Sequence, residues 1–366
     1  NVRDMSAMFA GEPSRFWQFR RILPNVVFNQ PLEQWDVSQV TSMESMFQNS
    51  VFNQPLNGWD VSSVTKMTSM FRESPFNQPL SSWNVSQVTS MESMFSYSPF
   101  NQPIESWTVS SVVSMRQMFR EARAFNQPLA NWDVSHVEQL SAMFCRATAF
   151  NQSLNHWNVS MATIMWFMFR DAIAFNQPLN DWDVSNVCSM TSMFENATAF
   201  NRPLNNWNVS RVQFMTNMFQ NATSFNQPLN HWNVSNVETM QSMFQNATSF
   251  NQPLSAWNMT QNPRTRLMFW NSGMDADNRE QMFNSDNDVW SMLANSPPAI
   301  PPLPPFAPSS INPMIPRTIT IAVDGEFSCP DLVSTDLRYW YNNYYDSQEV
   351  MISKDTISGE YVWEDW

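Results

Sequence analysis

Glycine is nearly missing: the chain has 5 in 366 residues, too few for a Gly-rich loop that cradles phosphate. Lysine is rarer, confined to Lys66 and Lys354, and the formal net charge is −13. A chain of that sign opposes nucleic acid and anionic membrane as partners. The cysteines are 3, namely Cys145, Cys188 and Cys329. An odd number excludes a closed disulfide framework, and the first two lie at different phases of repeats two apart, beyond the ~7 Å Cα limit of a bridge. Any single bridge would therefore join one of them to Cys329. Of the 3 histidines, His156 and His231 occupy equivalent positions three repeats apart. At ~4.8 Å per layer that is ~14 Å, which excludes a shared metal. No catalytic triad or carboxylate pair stands out, no cofactor is expected, and no apolar run approaches the ~18 residues of a membrane span.

Aromatic and sulfur-containing side chains abound instead: 17 Trp, 28 Phe and 27 Met. Their source is internal repetition. The sentence running from Leu179 through Trp182, Val184, Val187, Met190, Met193 and Phe194 to Ala197, and reopening at Phe200-Asn201, is written ten times between Phe28 and Met268. The opening Phe recurs at Phe28, Phe52, Phe76 and Phe100 and then, one residue later per copy, at Phe125, Phe150 and on to Phe250. The added residue follows Met-Phe, where Ser50-Val51-Phe52 becomes Ala197-Thr198-Ala199-Phe200. A join that accepts an insertion is a loop.

Two periodicities share each copy. Trp182 and Val184 alternate with polar neighbours, which predicts a short strand. Met190, Met193, Phe194 and Ala197 follow at helical spacing, which predicts a short helix. Neither face can be buried within one copy, so the copies are expected to stack, Trp on Trp and Met-Phe on Met-Phe, into an α/β solenoid of strand-plus-short-helix coils. Phe-Asn-Gln-Pro is the return turn, since Pro presets φ and turns its predecessor away from helix.

The spacing Leu-x-x-Trp-x-Val resembles the strand segment of a leucine-rich repeat, with Trp and Val substituted. The whole copy is similar to the BspA-like repeats of mycoplasma-type surface lipoproteins and of surface proteins of microbial eukaryotes, over Val2 to Phe269. The resemblance implies an extracellular or cell-surface, non-enzymatic scaffold. One departure stands out: where many leucine-rich repeats place an inward Asn, this chain has Val40, Val64, Val88, Val187 and Val237. The asparagine ladder is then either replaced by the Asn of Phe-Asn (Asn29, Asn53, Asn77) or absent.

Along the chain, residues 1–27 are a half repeat plus a capping insertion, and 28–273 are the repeats proper. Residues 274–295 are a helical cap, 296–316 a Pro-rich strap expected in polyproline II, and 317–366 a small acidic β-rich module. In that module Thr318 to Val323 and Gly359 to Trp363 read as strands, and Tyr339, Trp340, Tyr341, Tyr344 and Tyr345 form a candidate contact site. Trp166 and Phe167 replace polar residues of other copies and are either a second one, exposed on that side, or packed locally against a neighbouring loop. Asp36, Asp60, Asn84, Asp133, Asn158, Asp183, Asn208 and Asn233 line up beside the Trp column. They are expected to form a ladder on a concave face, either as mutual hydrogen bonds or as a groove for glycan or protein. Asn196, Asn221 and Asn246, placed by the predicted helix at its end where coils are wider apart, are the expected N-glycosylation acceptors. Two functions follow: a structural subunit that packs with other protein subunits, copies of itself among them, or an adhesion module for glycan or protein.

Overall fold

In a computed structural model, residues 2–11, 28–259 and 263–278 are described, together with the backbone of 350–354 and 361–365. The chain divides into two units, Asn1–Pro297 and Pro298–Trp366. In the first, every repeat contributes one rung to a parallel stack. Single parallel bridges run from Asp4 to Ser42, Lys66, Ser90 and Ser114, and then through Gln139, Ile164, Ser189, Phe214 and Thr239 to Arg264.

The Met-Phe segment is not helical, contrary to the spacing. In the rung opened by Phe175, the N–H groups of Met193, Glu195 and Ala197 donate to the carbonyls of Met190, Ser192 and Phe194 at 3.1, 3.3 and 3.0 Å. These are successive turns, each bond closing over three residues. The intervening N–H groups of Ser192, Phe194 and Asn196 point along the stack, to Thr216, Met218 and Gln220 of the next rung at 2.8, 2.9 and 2.8 Å. Ser192 and Asn196 take left-handed φ values of 53° and 60°, as the third residue of a type II turn does. The apolar spacing is the same because a turn closing over three residues brings the same positions inward as a helical turn. Eight residues nucleate a helix poorly, and a neighbouring rung that offers carbonyls at each alternate position wins.

The predicted strand at Trp-x-Val is displaced as well. Trp182 and Val187 close turns on the carbonyls of Leu179 and Val184 at 3.1 and 2.9 Å, and the bridge between rungs falls later, at Ser189. The bonded side of the rung is thus the Met-Phe side, here called the turn face. The opposite side is the Trp edge.

The core is a set of columns. Met190, Met193, Phe194, Phe200 and Leu204 are wholly buried, as are their equivalents in neighbouring rungs. Rings stack on their counterparts, with Phe194 and Phe219 at 5.6 Å between centroids and Trp182 and Trp207 at 6.4 Å. Within the joins, Phe194 and Phe200 stack at 4.2 Å. Phe9 and Phe28 make the same pair at 4.3 Å, so the chain re-enters the stack in register on the far side of residues 12–27.

The two repeat lengths solve one hydrogen-bonding problem in two ways. In the longer rungs the N–H of the opening Phe200 donates to the carbonyl of Ala197 at 3.0 Å. In the shorter rungs a Ser stands where that Ala is, and its hydroxyl takes the bond instead: Phe52 N–H to Ser50 Oγ at 3.3 Å, Phe76 to Ser74 at 3.3 Å and Phe100 to Ser98 at 3.1 Å. These serines are buried, and a buried N–H left without an acceptor is costly.

Beyond the last bridge, Asp275 caps a helical turn that opens at 276, its carboxylate accepting the N–H of Asn278 at 2.9 Å. The rest of the expected cap, the capping insertion, the Pro-rich strap, the strand at Thr318 to Val323 and the tyrosine cluster lie outside the described residues. In the second unit, β1 (Val350–Lys354) pairs antiparallel with β2 (Tyr361–Asp365), Ile352 opposite Trp363. The second strand therefore runs slightly later than the sequence suggests.

Candidate functional surface

Three polar ladders run through the stack, and none of them is the expected column beside the tryptophans. The first answers the missing inward asparagine. Asn29 Oδ1 accepts the N–H of Asn53 at 2.9 Å, Asn53 serves Asn77 in the same way, and the series reaches Asn251, which accepts from Asp275 at 3.1 Å. The Asn of Phe-Asn is therefore the ladder. The glutamine that follows donates a second bond, as Gln127 Nε2 does to Asn101 Oδ1 at 3.0 Å. The second ladder belongs to tryptophan. Each indole Nε1 donates to the Leu or Ile carbonyl of the rung before, from Trp59 to Leu32 at 2.9 Å to Trp257 to Leu229 at 2.9 Å. Trp35 opens the series and is 41% exposed.

The third ladder lies on the turn face, at the second left-handed position of each rung. Arg146 Nη1 binds Glu121 at 2.8 Å and Arg146 Nε binds Asp171 at 3.2 Å. Asn196 Nδ2 then donates to Asp171 at 2.6 Å, Asn221 to Asn196 at 2.7 Å, Asn246 to Asn221 at 2.8 Å and Asn271 to Asn246 at 2.9 Å. The acid-base-acid alternation of Glu121, Arg146 and Asp171 at the repeat period was the available signal. Bonding to Glu121 pushes the Arg146 guanidinium above its ordinary value. Glu195, beside Arg170, is pushed up by burial in spite of that cation. The left-handed backbone aims these side chains along the stack, which spacing alone does not reveal.

This ladder corrects the setting expected for the glycan acceptors. Asn196, Asn221 and Asn246 lie on the side where rungs are bonded to each other, not at helix ends where coils separate. Their Nδ2 atoms, which a sugar would have to occupy, are donors to the neighbouring rung.

The column at the Trp edge is exposed but is not a ladder. Each side chain closes a turn within its own rung. Asp36 Oδ1 accepts the N–H of Ser38 at 3.1 Å, and Asp60, Asn84, Asp133, Asn158, Asp183, Asn208 and Asn233 do the same for Ser62, Ser86, Ser135, Ser160, Ser185, Ser210 and Ser235 at 3.0 to 3.2 Å. Bonds from these serines, hydroxyl before backbone N–H, hold Asp36, Asp60 and Asp133 below the usual carboxylate value. Ring centroids repeat at 5.6 Å on the turn face and at 6.4 Å in the tryptophan column.

Trp166 and Phe167 are 6% and 1% exposed, which is the local-packing alternative and not an open contact. The indole of Trp166 donates to Ser189 Oγ. Phe167 holds a left-handed φ of 56°, and the Arg170 guanidinium stands 5.4 Å from its ring centroid. Their replacement of polar residues is accommodated by packing. Cys145 is a free buried thiol, pushed up to about 11 by burial, and Cys329 lies outside the described residues. Among the described residues no group of three metal-binding side chains gathers, and no helix is long and apolar enough to cross a membrane.

No curated protein and no solved structure matches the chain. A family model described as "Mycoplasma protein of unknown function, DUF285" matches residues 1–99, 74–181, 97–206 and 165–282. The overlapping matches follow the tandem rungs, and together they cover most of the chain: it is a repeat protein of the DUF285 family.

Proposed function

We propose that the chain is a non-enzymatic structural subunit, a leucine-rich-repeat-like solenoid of the BspA type that acts at the cell surface or outside the cell. The observation that carries this reading is where the repeated residues go. Phe, Asn, Gln, Leu, Trp, Val and Met recur in every rung and bond or stack on the next one, so repetition serves to extend a rod. At the Trp edge most rungs leave outward a short polar turn whose oxygen accepts from its own serine.

Sedimentation velocity and negative-stain microscopy of the full chain across a concentration series test this. Concentration-dependent assembly is expected, and a monodisperse monomer at the highest concentration would argue against it. A second reading, an adhesion module for glycan or protein, rests on the exposure of the Asp/Asn column. It predicts glycan-array binding that is lost when Asp133, Asn158 and Asp183 are replaced by Ala.

A further inference from the structure

Of the chain's Asn-x-Ser/Thr sequons, Asn151-Gln152-Ser153 lies in the first ladder, Asn151 Oδ1 accepting the N–H of Asn176 at 2.9 Å, and the fold separates the others into two families. Those on the turn face have Nδ2 bonded into the third ladder. Those at the Trp edge, among them Asn84-Val85-Ser86 and Asn158-Val159-Ser160, have exposed side chains whose Oδ1 is held by the serine N–H of the same sequon, at 3.2 and 3.1 Å. That bond engages Oδ1 in the turn, and among the described residues Nδ2 of neither Asn84 nor Asn158 donates to a neighbouring rung.

Crowding then divides the edge column. Asn208 and Asn233 stand on adjacent rungs, where the neighbouring indoles Trp207 and Trp232 are 6.3 Å apart, and two branched sugars cannot both leave from so narrow a step. Asn84 has Asp60 and Thr108 on its two sides, and Asn158 has Asp133 and Asp183. Neither has a sequon as its neighbour in the column.

We propose that Asn84 and Asn158 are Asn-linked glycan acceptors. In the reaction the side-chain nitrogen bonds to the anomeric carbon of a lipid-diphosphate-linked oligosaccharide. The carbon–oxygen bond to the diphosphate breaks, and one amide proton is released as the lipid diphosphate departs. The glycans would stand off the Trp edge, leaving the turn face and its ladders untouched. This inference rests on the extracellular reading, because the donor is met on a secretory route.

The test is secretion of the full chain from eukaryotic cells, followed by peptide mapping with and without glycosidase treatment. Occupancy at Asn84 and Asn158 is expected, with Asn196, Asn221 and Asn246 bare. The double variant Ser86→Ala, Ser160→Ala, which removes both sequons but keeps the backbone N–H bonds to Asn84 and Asn158, should migrate faster by two glycans and melt like wild type once both proteins are deglycosylated. Bare Asn84 and Asn158 in secreted, folded protein would overturn the assignment, and so would glycan on Asn196, Asn221 or Asn246 in protein that still melts cooperatively. Forced secretion makes these outcomes independent of the native location. That is tested separately, by protease accessibility on intact native cells.

Discussion

Each buried tryptophan does two things, filling a column and closing a hydrogen bond to the rung before it. Trp157 donates to Leu129 at 3.0 Å and is 2% exposed. Trp157→Phe keeps most of the apolar volume but leaves a buried carbonyl without its donor, a loss of ~1–3 kcal/mol. The same change at Trp35, which is 41% exposed and opens the series, should cost less than ~0.5 kcal/mol. Urea midpoints of the two variants check the contrast, and equal losses would refute the indole ladder as a stabilising device. At the Trp edge, Asp36, Asp60 and Asp133 are held below the ordinary carboxylate value of 3.8 by their serines. A carboxylate depressed in the folded state contributes stability above its unfolded value and loses it as pH falls through the folded one. Asn makes the same turn at Asn84 and Asn158. The triple Asp→Asn variant should therefore match the wild type near neutrality and lose less stability below about pH 4, as read from melting temperature against pH.

At the scale of the element, the left-handed residues separate turn from helix. Ser242 has φ of 53°, and the corresponding positions, among them Ser192, Asn217 and Leu267, hold no β-branched residue. Val there would meet the clash that bars β-branched side chains from positive φ. Ser242→Val should cost ~1–2 kcal/mol, whereas Ser242→Gly, free of a Cβ, should cost a few tenths. Were the segment a helix, the order would reverse, since Gly is the worse helix residue by ~1 kcal/mol. Chemical denaturation of the pair decides. This is also where reading from spacing failed. Met190, Met193, Phe194 and Ala197 are inward as their spacing implies, but turns and helices share that spacing, and what distinguishes them is the carbonyl that the next rung presents to Ser192, Phe194 and Asn196. The error carried over to the glycan sites, because placing Asn196 at a helix end made its face look open.

At the scale of the whole unit, the backbone bonds between rungs among the described residues join neighbours, so stability should follow rung number. Removal of residues 200–224, one full period, brings Phe225 to the place of Phe200 and Asn246 within reach of Asn196. The shortened chain should keep its near-ultraviolet circular dichroism per tryptophan and a cooperative, slightly lower melt. Removal of about half that length should abolish cooperative melting, because the columns fall out of register. Equal damage from both deletions would count against nearest-neighbour stacking. By itself the sequence determined the period, the inward positions and the point where a residue is added, since these depend only on which side chains avoid water and on where a loop tolerates length. It also contained both remedies for the join, Ser in short copies and Ala in long ones. The tertiary structure alone decided which side of the rung is bonded, which asparagines form ladders and which Nδ2 atoms reach solvent. Those outcomes depend on the direction of N–H and C=O groups between rungs, and a hydrogen bond's direction is set by the neighbour that receives it.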